Sequence, residues 1–157
     1  MKLEALLSQL SAAGLQARVL ASPGGGAVVI TPHGARVLGG GTHAGAENAD
    51  GVNAELARPE SSRPWLAGEH VLGGDRLWLA PERGLFFKGQ TEQHGVATPH
   101  SIDPGEYRIG GATATSVRLV SEMATTFHLI PGSVVRAGVE RSIRLAPSPF
   151  ADFPDAV

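Results

Sequence analysis

Apolar and polar positions along this chain change period once, early. Leu3, Leu6, Leu7 and Leu10 recur at intervals of three and four, which predicts a helix over residues 2–13 with one apolar stripe. Gly14 follows as its C-terminal cap. From Leu15 the period is two. Leu15, Ala17 and Val19 alternate with Gln16, Arg18 and Leu20, a first strand. The β-branched run Ala27–Thr31 predicts a second, and Ala35–Leu38 a short third. Ser22–Gly26 and Pro32–Gly34 are the turns of this meander.

Residues 39–64 read as a long irregular segment, and loops of that length inside a domain are often functional. The densest informative stretch comes next, Gly73-Gly74-Asp75-Arg76-Leu77-Trp78-Leu79-Ala80-Pro81-Glu82. Its apolar run Leu77–Leu79 predicts a short buried strand that Pro81 stops. Strand alternation puts Arg76 and Trp78 on one face and Leu77 and Leu79 on the other. Trp78 is expected to point into the core, with Arg76 and Glu82 lining a polar patch. Gly84–Lys88 and Glu106–Gly110 predict further strands around a polar, turn-rich segment over 91–105.

The last third carries the clearest strand pattern. Strands are predicted over Thr113–Glu122, Thr125–Ile130 and Val134–Leu145. In the last of these, Val135, Ala137, Val139, Ile143 and Leu145 alternate with Arg136, Gly138, Glu140, Ser142 and Arg144. Only Arg141 interrupts the dry face. Residues 146–157 read as an extended tail. The expectation is one all-β domain over 1–157, an antiparallel β-sandwich with an N-terminal helix at 1–14.

Composition narrows the function classes. The 21 glycines and 11 prolines favour short strands and turns over long helices. A net charge of -2 without a Lys/Arg stripe gives no electrostatic case for a nucleic-acid partner. No apolar stretch approaches the roughly 18 residues of a membrane span. Glu4, Ser8, Gln9 and Ser11 break up any N-terminal signal core, so a cytoplasmic protein is expected. The lack of cysteine removes disulfides, thiolate chemistry and the commonest zinc ligands.

Candidate chemistry is sparse. The six histidines, at 33, 43, 70, 94, 100 and 128, show no strong metal spacing. Glu92, His94 and His100 do not fix a coordination geometry, so no metal or other cofactor is expected. Gly-x-Ser-x-Gly is absent, and neither glycine run leads into Lys-Ser/Thr. A polar pocket built from Arg76, Trp78, Glu82 and His94 remains. A tryptophan face can stack on a sugar ring, and Arg, Glu and His can bond its hydroxyls. His94 near a carboxylate could also exchange a proton with a hydroxyl. Asn53, Asp75 and His100 complete the candidate binding set.

The stretch Gly73–Glu82, followed by Phe86-Phe87, resembles a segment of uncharacterised bacterial proteins of the galactose mutarotase-like (aldose epimerase-like) β-sandwich family. Gly40 to Asn53 is similar to that family's glycine-and-asparagine segment. Ser116–Leu119 and Val139–Leu145 resemble its paired long strands. Gln93-His94-Gly95-Val96-Ala97 is similar to the His-Gly-Phe-Ala-Arg motif of hexose-phosphate epimerases, with Val96 and Thr98 in place of Phe and Arg. The resemblance spans most of residues 15–145 and covers the family's N-terminal half only. It implies a sugar or polyol ligand bound on a concave face. A first alternative is an aldose 1-epimerase-type enzyme with His94 as acid. The base of that reaction lies in the family's second half, so complete epimerase chemistry is not expected of this chain alone. A second alternative is a structural, self-associating β domain. Unpaired strand edges and the dry face of the last strand predict a homodimer, with Phe150 and Phe153 of the tail reaching the partner.

Overall fold

The computed structural model describes residues 1–43, 45–49, 72–86, 98–127, 130 and 132–147. Helix α1 runs from Leu3 to Ala12. Three strands follow, β1 (Arg18–Ala21), β2 (Ala27–Thr31) and β3 (Arg36–Gly41), with a 3-10 turn at His33–Ala35 before the last. They form an antiparallel sheet in the order β1-β2-β3, with a bulge between Val29 and Ile30. A short helix, α2, spans Glu82–Phe86. Strands β4 (Arg108–Ala112), β5 (Ser116–Thr126) and β6 (Val134–Arg144) form a second antiparallel sheet in the order β4-β5-β6.

Side-chain alternation explains how the elements layer. Leu3, Leu6 and Leu10 of α1 pack on Ala27 and Val29 of β2 and on Leu38 of β3. The intervening residues Val28 and Ile30 face the other way. They join Leu20, Val117, Leu119, Val139 and Ile143 in a cluster shared by both sheets. The first sheet is therefore covered by α1 on one face and by the second sheet on the other. A third cluster packs Leu85 and Phe86 of α2 against Met123 of β5 and Val135 and Ala137 of β6. Each of the three α1 leucines is at most 1% exposed, and each such burial contributes about 1.5–3 kcal/mol.

The dry face of β6 is covered by its own chain through the second and third clusters. A bare apolar face is therefore no reason for a dimer. The strand expected over 113–122 and the start of the one expected from 125 are one strand, β5, which ends at Thr126, and its dry face includes buried Ser121 and Thr125. Strand β3 runs on through the three glycines given to the loop. A side chain at Gly39 would stand 2.9 Å from a methyl of Leu6 and 3.0 Å from one of Leu3, so glycine lets the helix approach the strand. Gly84–Phe86 belongs to a helix, not a strand, and Pro81 precedes its first residue, as suits a helix start. Leu77–Leu79 forms no strand. Most of the long irregular segment, and Phe150 and Phe153 of the tail, lie outside the described residues. Among the described residues no helix is long and apolar enough to cross a membrane.

Tyr107 supplies a check on the shared cluster. It is 8% exposed, and its hydroxyl has no hydrogen-bond partner among the described residues. Burial pushes its pKa above 10, and the carboxylate of Asp103 adds to that, while Arg141 opposes it. A raised folded pKa means stability present below the unfolded pKa and lost as pH climbs through the folded value. The chain has one tyrosine, so tyrosinate absorbance reads this group alone. We expect its titration midpoint above 10. We also expect the fall in stability above about pH 10 to flatten in Tyr107→Phe. A midpoint at the free-tyrosine value would place Tyr107 in solvent.

Candidate functional site

The stretch Gly73–Glu82 is anchored rather than paired along its length. Asp75 and Val37 exchange both backbone hydrogen bonds, each 2.9 Å, in an isolated bridge against β3. Gly74 makes this approach feasible. It has φ +70°, and a Cβ there would lie 2.2 Å from the Val37 carbonyl oxygen. The Gly73 carbonyl accepts a hydrogen bond from Arg36 Nη1 at 2.9 Å.

Beside this bridge lies a charge cluster that the linear sequence disperses. The Arg36 side chain, 1% exposed, donates through Nη2 to Asp103, whose side chain is 14% exposed. Arg76 donates to the same carboxylate oxygen at 2.9 Å. Burial lowers the Arg36 pKa from its ordinary value, Asp103 opposes the shift, and Arg76 and Arg141 add to it. Arg141, the one break in the dry face of β6, donates to the Ala35 carbonyl at 2.7 Å and to the Asp75 carboxylate. It thereby ties the second sheet to the first across their shared core.

Trp78 is not in the core. It is 39% exposed, with its indole N–H donating to Glu82 Oε1 at 3.1 Å. The Arg76 guanidinium lies 4.1 Å from its ring centroid, a cation–π contact. Phe86 stacks on it with centroids 4.1 Å apart and planes 2° from parallel. Two groups that close to one ring centre must occupy opposite faces. Both faces of Trp78 are thus taken, which removes the free platform expected for a sugar. Arg76, Trp78 and Glu82 touch one another in turn along a polar seam, and their exposed neighbour Asp75 pairs with Arg141 instead. His100 is exposed in the turn before Asp103, and its side chain joins none of these contacts among the described residues. Asn53 and His94 lie outside the described residues.

A second site comes from the outer face of the second sheet. An open groove of about 430 Å³ crosses β4, β5 and β6, a ligand-sized volume. Val120, Gly110 and Gly138 form its floor, and Arg108, Arg118, Glu122 and Glu140 its walls. Strand pairing builds this set, because Val120 is opposite Arg108 on one side and Glu140 on the other, and Glu122 is opposite Gly138. The two glycines leave out side chains that would fill the hollow. A Cβ at Gly110 would meet Val120 at 3.2 Å, and one at Gly138 would meet Glu122 at 3.2 Å. Arg118 spans all three strands. It donates to the Gly110 carbonyl and to Glu140, each at 3.0 Å. The alternation along β6 marks its wet face in the sequence but not the groove. A glycine inside a long alternating strand was the available signal.

Among the described residues no group of three His, Asp or Glu side chains gathers as a metal site would require. Compared with family models, curated proteins and solved structures, the chain matches none of them.

Proposed function

We propose that this chain is a recognition domain for a small, neutral polyhydroxylated ligand, a sugar or polyol, held in the groove across β4, β5 and β6. The observation that carries the reading is the balanced lining of that groove. Two arginines offer only donors and two glutamates offer only acceptors. A hydroxyl both donates and accepts, so a ring of hydroxyls can bridge the two kinds of wall. A carboxylate or phosphate would be attracted by the arginines but repelled by Glu122 and Glu140. An apolar ligand would desolvate the Arg118–Glu140 pair and leave Arg108 and Glu122 facing a surface that cannot hydrogen-bond. Arg118 is already held at both ends, so little side-chain freedom is lost when a ligand docks.

The two sheets over one apolar cluster are compatible with the mutarotase-like half sandwich that the resemblance implies, and we carry that assignment as part of the proposal.

An open, polar groove of this kind suits weak binding, roughly millimolar. At tenfold excess over Kd, ligand stabilises the fold by about 1.4 kcal/mol. That amounts to roughly 3–6 °C in melting temperature for a domain of this size. A panel of neutral sugars and polyols should contain members that give this shift. Arg118→Ala should abolish it while leaving the ligand-free melting temperature within about 2 °C, because the Arg118–Glu140 pair is half exposed. A panel without effect at high concentration, or an unchanged response in Arg118→Ala, defeats the reading.

A further inference from the structure

We propose that β6 is a homodimer edge, and that a second copy of this chain adds to it antiparallel, about a two-fold axis at Gly138. Strand β6 pairs with β5 along its whole length from Val134 to Arg144. Among the described residues no strand pairs with its other edge. An eleven-residue edge strand presents a long row of free backbone donors and acceptors.

Charge selects the occupant and the register. The outward side chains of β6 read Val134, Arg136, Gly138, Glu140, Ser142 and Arg144. In a two-fold antiparallel pair each residue faces one at a fixed sum of numbers, and side chains opposite each other share a face. With Gly138 opposite the partner's Gly138, Arg136 faces the partner's Glu140 and Glu140 faces the partner's Arg136. Two reciprocal ion pairs result, and Val134 to Ser142 overlap. An axis at Glu140 would oppose glutamate to glutamate and Arg136 to Arg144. An axis at Val139 gives more overlap but no ion pair. An axis at Ser142 gives Glu140–Arg144 pairs with a much shorter overlap. Arg136 has no ion-pair partner among the described residues, whereas Arg118 already takes one side of Glu140. The self-pairing joins the second sheets of the two copies into one sheet of six strands. It shares Gly138 and Glu140 with the groove, so its tests use ligand-free protein.

Site-directed cross-linking tests this, because the chain has no cysteine of its own. Residues directly opposite in an antiparallel pair have Cα atoms about 4.5–5.5 Å apart, within disulfide range. Gly138→Cys should therefore form a disulfide-linked dimer under mild oxidation. Ser142→Cys should not, since its copies stand roughly 27 Å apart in this register. Wild-type protein at micromolar concentration should scatter light as twice 16.2 kDa, and Arg136→Glu should lose that dimer. A wild-type monomer mass overturns the proposal. So does efficient cross-linking through Ser142→Cys in place of Gly138→Cys.

Discussion

Asp103→Ala is expected to cost about 3–5 kcal/mol, the typical penalty for leaving a buried charge without its partner. The carboxylate serves Arg36, which is 1% exposed, and Arg76, which is 25% exposed. Without it, Arg36 keeps only the Gly73 carbonyl, and three guanidinium groups, of Arg36, Arg76 and Arg141, are left near one another. Domains are stable by only about 5–15 kcal/mol, so this loss leaves the variant marginal. The melting temperature should fall by roughly 6–20 °C. Arg76→Ala should cost at most about 1 kcal/mol, since that side chain reaches solvent. Replacing both buried partners, Arg36→Met with Asp103→Leu, should be milder than Asp103→Ala alone, because no charge is stranded. Urea melts of the four proteins decide it. A stability of Asp103→Ala within 1 kcal/mol of wild type would mean that the cluster is not buried.

Phe86→Ala is expected to cost about as much, for a different reason. Phe86 is fully buried between Trp78 and the Met123 end of the second sheet. Deleting a buried aromatic side chain costs about 3–5 kcal/mol through lost transfer energy and the cavity left behind. The stack on Trp78 contributes roughly 0.5–1.5 kcal/mol of that. Trp78→Ala should cost less, because the indole is already 39% exposed and α2 keeps its other contacts. Calorimetric unfolding of the two variants should rank Phe86→Ala well below Trp78→Ala. The reverse order would show that the indole, not the phenyl ring, anchors the central stretch.

The parts of the fold legible in the sequence are those where one period runs unbroken. Helix α1 was expected over 2–13 and spans Leu3–Ala12, because four leucines mark one stripe. Strand β6 was expected over 134–145 and spans Val134–Arg144. Strand β5 was less legible because Ser121 and Thr125 occupy dry-face positions and break the apolar pattern, although both are buried. The central run shows the limit most clearly. Leu77 and Leu79 do pack inward, into the second and third clusters, while Arg76 and Trp78 share the other side. Alternation was therefore right, but the backbone there makes one bridge to β3 and no ladder. Nothing local announces that a partner strand is missing.

The site was legible only in part. The seam of Arg76, Trp78 and Glu82, with Asp75 beside it, follows from sequence neighbours. Its anchors, Arg36, Asp103 and Arg141, come from distant elements that only the tertiary fold gathers. Arg141 looked like a flaw in a dry strand face and is the ion-pair partner of Asp75. The groove depends on cross-strand register, because Gly110, Val120 and Gly138 meet only after β4, β5 and β6 are aligned. That register cannot be read from one strand at a time.

Backbone amide NMR with a neutral sugar or polyol from the stabilising set tests the central claim most directly. The amide signals of Gly110 and Gly138 should move in a saturable way, and the indole N–H of Trp78, bonded to Glu82 with both ring faces covered, should stay still. Saturable movement of the Trp78 indole signal with the two glycine amides unmoved would contradict the account.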